Sequence, residues 1–105
     1  MSNKKFRVAV IGTGMIANHA HLPAWKALPD DVELVGAADI IEERAQLTAE
    51  AFDIPNAYGD WQTMLDELEP DIVDVCTPNV YHKDPAIAGL KAGAHVLCEK
   101  PISIS

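Results

Sequence analysis

Two glycines and a small residue, Gly12, Gly14 and Ala17, fall in the stretch GTGMIA directly after the apolar run 8–11. Glycine tolerates the left-handed backbone of a tight turn. Such a turn between a strand and a helix leaves the first backbone N–H groups of the helix pointing outward, where they bind phosphate oxygens. Gly12 would make the turn, Gly14 would let a diphosphate approach without meeting a side chain, and Ala17 would let helix and strand pack closely. Gly12, Thr13, Gly14, Met15 and Ile16 are therefore the candidate diphosphate cradle. The pattern alone is weak and gains force from an acid at the end of the next apolar run. Asp39 is that acid, following VELVGAA somewhat beyond the roughly 20 positions usual for a ribose-binding carboxylate. A carboxylate there accepts both hydroxyls of an adenosine ribose and repels a 2′-phosphate, which favours NAD, with NADP the alternative. The plainer role for Asp39 is to cap the following helix.

Other polar residues gather where later strands should end. Thr77, Pro78 and Asn79 follow the apolar run 72–76, with His82 shortly after. Pro78 fixes the loop, while Thr77 and Asn79 offer hydrogen bonds to the nicotinamide half of a dinucleotide. Read alone, the tripeptide is an ordinary turn and His82 a solvent-facing residue. Glu99, Lys100 and Pro101 follow the run 95–98. A lysine there could hydrogen-bond a substrate hydroxyl and be tuned by the neighbouring acid, the plainer reading being a surface salt bridge.

These residues need elements to carry them. Apolar runs at 8–11, 32–38, 57–58, 72–76 and 95–98 read as strands, the third very short and at an edge. Between them, 15–28 reads as one helix with Ile16, Ala20, Ala24 and Leu28 inward and a kink or break at Pro23. A second helix covers 42–52, with acidic Glu42 and Glu43 in its first turn and Ala45, Ala49 and Phe52 inward. Asp60 caps a third, whose Trp61, Met64, Leu65 and Leu68 share a face. Asp84 and Pro85 open a fourth, which closes at Gly93. Small Gly36, Ala37 and Ala38 are expected to leave room beside the glycine turn. Strand and helix alternate throughout, which predicts a Rossmann-type, doubly wound α/β fold: a parallel sheet in the order 3-2-1-4-5 between two helix layers. Every candidate polar residue then lies at a carboxyl end, where such sheets bind ligands.

A chain of 105 residues supports one core, here a single domain over 1–105. Its formal charge of −8, from 16 acidic and 8 basic residues, disfavours nucleic acid and anionic membranes, which require clustered Lys and Arg. No apolar run approaches the roughly 20 residues that span a bilayer, and a cytoplasmic location is expected. Cys76 and Cys98 read as buried thiols, the four histidines are scattered along the sequence, and no metal site is expected.

Taken together, GTGMIA, the Ala38–Asp39 pair, TPNVYH at 77–82 and AGAHVLCEKP at 92–101 closely resemble the nucleotide-binding half of the glucose-fructose oxidoreductase / inositol dehydrogenase / rhizopine-catabolism (Gfo/Idh/MocA) family. The resemblance covers essentially the whole chain, and the E-K-P block is its most specific part. It implies an NAD(P)-dependent oxidoreductase acting on a secondary alcohol of a sugar, cyclitol or related compound. Thr77, Pro78, Asn79 and His82 would border the cofactor, Glu99 and Lys100 would lie beside the nicotinamide ribose and substrate, and Lys100 would be the catalytic lysine. Members usually continue into an α+β substrate domain. This chain is therefore expected to be a truncated or separately made nucleotide-binding domain, inactive alone and prone to self-association through the face that domain would cover. A non-catalytic sensor or transcriptional regulator of the same family is the alternative, against which the complete E-K-P block argues.

Overall fold

The first strand, β1 (Phe6–Ile11), is apolar almost without interruption because both of its faces are covered: Val8, Ala9 and Val10 are fully buried and Ile11 nearly so. The computed structural model describes residues 5–14, 17–76, 91 and 93–98. Within them β2 (Val32–Ala38), β3 (Ala57–Tyr58), β4 (Ile72–Val75) and β5 (His95–Cys98) join β1 in a five-stranded sheet. The order is β3-β2-β1-β4-β5 and every pairing is parallel, as expected from the alternation. Register aligns the carboxyl ends in one row, Tyr58 beside Ala38, Ala38 beside Ile11, Ile11 beside Val75 and Val75 beside Cys98. The strand order reverses direction between β1 and β4, which makes that junction the switch point of the sheet.

One face is covered by α1 (Leu22–Lys26) and α2 (Glu42–Phe52), packed on Val8, Val10, Leu34 and Ala37. The other face carries α3 (Trp61–Leu68), whose Met64 and Leu65 are buried against Ala9, Ile11, Val73 and Val75. Ala45, Thr48 and Ala49 form the buried stripe of α2, with Phe52 half-buried beside them. Asp60 caps α3, its carboxylate accepting from the backbone N–H of Gln62 and Thr63 and, at 2.6 Å, from the Thr63 hydroxyl. The Thr63 hydroxyl foremost, opposed by desolvation and aided by those N–H groups, holds the Asp60 carboxyl below its ordinary range. At the other end of α3 the Arg7 guanidinium donates to the carbonyls of Leu68 and Glu69, placing a cation where the helix dipole is negative. Tyr58 donates its hydroxyl to Glu67, and burial together with that acid raises the phenol pKa.

Three local expectations are corrected. The helix expected over 15–28 with a kink or break at Pro23 is a π-helical segment, Ala17–His21, followed directly by α1, so the irregularity falls just before Pro23, which occupies the first turn of α1. The wider π turn shifts the phase of the side chains. Ala17 and Leu22 are buried and Trp25 is half-buried, whereas Ala20, Ala24 and Leu28 face solvent and Ile16 lies outside the described residues. The space at Gly36 serves α3 rather than the glycine turn, since a Cβ there would stand 2.5 Å from Leu68 Cδ1 and 3.1 Å from Met64 Sδ. Cys76 is half-buried rather than buried, one residue past the end of β4, and forms no disulfide among the described residues. The side chain of Cys98 and the helix expected from Asp84 lie outside the described residues, though Gly93 has the left-handed φ of 87° expected of a residue that closes a helix. No helix among the described residues is long and apolar enough to cross a membrane.

Candidate functional site

At the carboxyl edge the chain leaves β1 through Gly12, whose φ of 93° only glycine adopts without strain. Its N–H donates to the Ala38 carbonyl at 2.7 Å, folding the start of the turn over the end of β2. The next residue, Thr13, is 3% exposed and donates twice to Asp39 Oδ2, from its backbone N–H at 2.9 Å and from its hydroxyl at 2.8 Å. Asp39 Oδ1 accepts the Ile41 N–H at 2.9 Å, and the Asp39 N–H donates to the Tyr58 carbonyl at 3.0 Å. A carboxylate offers about four lone-pair positions, so three donors leave room for a further hydroxyl at Oδ1. Asp39 thus does more than the plainer reading allowed: it shapes the entry to α2 and also ties that entry to the glycine turn.

Packing against the described residues does not require a glycine at position 14. A Cβ built there meets no atom of the described residues within 4 Å, and its φ is not left-handed. The open space is the approach that a diphosphate would need. Ile40, 81% exposed, presents an apolar side chain to solvent immediately beyond Asp39. Of the residues expected at the site, Gly12, Thr13, Gly14 and Asp39 are brought together here, with Ala17 buried behind them. Met15, Ile16, Thr77, Pro78, Asn79, His82, Glu99 and Lys100 lie outside the described residues. A groove of about 360 Å³ beside Lys5, Trp25 and Glu33 lies at the opposite, amino-terminal side of the sheet and contains none of these candidates.

A second cluster escapes the sequence reading. Asp74, fully buried in β4, accepts hydrogen bonds from His21 Nδ1 at 2.7 and 2.9 Å to its two oxygens and from Trp25 Nε1 at 2.8 Å. The Cys76 thiol donates to Asp74 Oδ1 at 3.6 Å. The proton on His21 Nδ1 is assigned from its acceptor-only partner. The histidines and Cys76 are therefore not all remote from other ligand-type groups, because His21, Asp74 and Cys76 place donor atoms within 4.8 Å of one another. The available signal was Asp74 itself: an acid in the run IVDV, on a strand buried on both faces, must have partners.

Comparison with known proteins agrees with this geometry. Residues 6–105 match the family described as GFO_IDH_MocA, oxidoreductase family, NAD-binding Rossmann fold. The chain is 39% identical to D-glucoside 3-dehydrogenase of Escherichia coli, a match covering 96% of this chain and 28% of that protein. The structure of a levoglucosan dehydrogenase in complex with NADH and levoglucosan superposes with a TM-score of 0.81 at 33% identity, over 92% of this chain and 28% of the other. A 3-ketoreductase from Actinomadura kijaniata in complex with NADP gives a TM-score of 0.85 at 35% identity, over 93% of this chain and 31% of the other. The chain thus spans under a third of the length of these relatives. With the parallel sheet, the glycine turn and the carboxylate beside it, these matches identify the chain as an NAD-binding Rossmann domain of the Gfo/Idh/MocA oxidoreductase family.

Proposed function

We propose that this chain is the cofactor-holding half of a dehydrogenase that exchanges hydride with a secondary alcohol of a sugar, cyclitol or related compound. The observation that carries the reading is the Thr13–Asp39 pair, which holds a carboxylate at the tip of β2 against the turn that leaves β1. In this reading the Gly12 and Thr13 N–H groups, already given to Ala38 and Asp39, shape the turn, the N–H groups of 14–16 would hold the diphosphate, and Asp39 Oδ1 accepts a ribose hydroxyl and disfavours a 2′-phosphate, so that NAD is preferred. The cofactor when bound supplies the hydride acceptor at its nicotinamide ring. Thr77, Pro78, Asn79 and His82 would border that ring. Glu99 and Lys100 would lie beside the nicotinamide ribose and the substrate, with Lys100 Nζ taking or returning the proton of the reacting hydroxyl. A second, α+β domain would supply the substrate floor and exclude water, and the 105-residue chain alone would turn over poorly. We place the protein in the cytoplasm, with self-association through the face that the second domain would cover. The sensor reading finds no support, since the relatives described above are named as dehydrogenases or a ketoreductase.

Lys100→Ala in a protein that joins this chain to its substrate domain tests the assignment. Turnover should fall by about 10²-fold or more, as for loss of a general acid–base group, while NADH binding is retained. Unchanged turnover would remove Lys100 from the chemistry.

A further inference from the structure

The switch point between β1 and β4 is bridged by a buried clamp whose members have no part in the function proposed above. Asp74 stands on β4 opposite Val10 of β1, one residue before the strand ends, and is completely buried. Both of its bonded ring donors come from the segment that follows the glycine turn: His21 closes the π-helical stretch and Trp25 lies in α1. A π turn is uncommon and is often found at functional sites, and here it ends on the first of the two residues, four apart, that converge on one carboxylate. With Cys76 a third donor, Asp74 faces only donors among these partners, so an amide could not serve in its place. On the other side of the same joint, the Cys76 N–H donates to the Ile11 carbonyl at 2.7 Å and the Gly12 N–H to Ala38 at 2.7 Å.

We propose that Asp74, His21 and Trp25 are positioning residues that lock the glycine turn to the outgoing end of β4. They would fix the Gly12–Gly14 turn relative to Cys76, the residue from which the chain continues to Thr77, Pro78 and Asn79. The proposal rests on the dinucleotide reading for its functional consequence but not for its mechanical one. Loss of the clamp loosens the chain where it leaves β1 relative to the chain where it leaves β4, so it weakens a ligand that spans both halves of the sheet's carboxyl edge. A ligand confined to the adenosine half is affected far less.

His21→Leu removes the donor at the Nδ1 position, and His21→Asn restores an N–H at nearly the same place. In the ligand-free chain, His21→Leu should speed amide hydrogen exchange at Thr13 and Cys76 about tenfold, as loss of a hydrogen bond to a carboxylate implies, and leave the Ile54 amide of α2's end unchanged. The NADH dissociation constant should rise about tenfold and that of AMP less than about threefold, with His21→Asn within about threefold of the parent in both readouts. Trp25→Phe should move both readouts in the same direction should His21→Leu fail to fold. Unchanged exchange, His21→Asn no better than His21→Leu, or NADH and AMP weakened equally would overturn the proposal. Exchange that behaves as described in a chain that binds no NADH would uphold the clamp and refute the dinucleotide reading instead.

Discussion

At the scale of single residues, the site depends on where one carboxylate is held. Asp39 Oδ2 is occupied twice by Thr13, and this fixes the direction in which Oδ1 faces. Thr13→Val keeps the backbone donor and the side-chain shape but loses the hydroxyl bond, a loss of about 0.5–1.5 kcal/mol. NADH affinity should fall about three- to tenfold by calorimetry. An unchanged affinity would mean that the backbone bond alone orients the acid. Asp39 was legible in the sequence because an acid directly after a buried strand has few alternatives. Its bond to the Thr13 hydroxyl was not, since motif reading assigns residue types to positions without saying how side chains meet across two loops.

At the scale of elements, the strands were readable and the first helix was not. The central strands β1, β2 and β4 are apolar runs whose burial leaves little freedom of placement, and all five strands, the partly exposed edges β3 and β5 included, fall on the expected runs to within two residues at an end. The segment after the glycine turn depends on Asp74, a residue 53 positions from His21, so no local periodicity could announce the π turn. Helix α3 illustrates the same division: its apolar face follows from spacing, but its approach to the sheet depends on Gly36 having no side chain. Gly36→Val would push β2 against Leu68 and Met64 and should cost about 1–3 kcal/mol, read as a lower midpoint in denaturant unfolding with an unchanged slope. A midpoint equal to that of the parent would show that Leu68 can swing aside without loss. Acid weakens the same helix from its other end. The Asp60 carboxyl is held below its ordinary value near 3.8, so its contribution is whole above that value and is lost as pH falls through the lower folded one.

At the scale of the whole molecule, parallel strands of matched register bring every β-to-α loop to one edge, and the switch point between β1 and β4 opens a crevice there. The sheet order and the family were both legible, because alternating strand and helix leave few right-handed topologies and because the E-K-P block is specific. The clamp at the switch point was not legible, since Asp74 lies 53 positions from His21 and 49 from Trp25 and only the folded chain joins them. Among the described residues, what the fold offers a ligand at that edge is the open space at Gly14 with the Asp39 carboxylate held against the same turn. The most direct measurement is calorimetric titration of the 105-residue chain and of its Asp39→Ser variant with NADH and NADPH. The expected result is that the parent binds NADH at least about tenfold more tightly than NADPH, and that removing the carboxylate reduces or abolishes that preference. Equal affinity of the parent for both, or a preference that survives loss of Asp39, would contradict the assignment of this acid to the ribose.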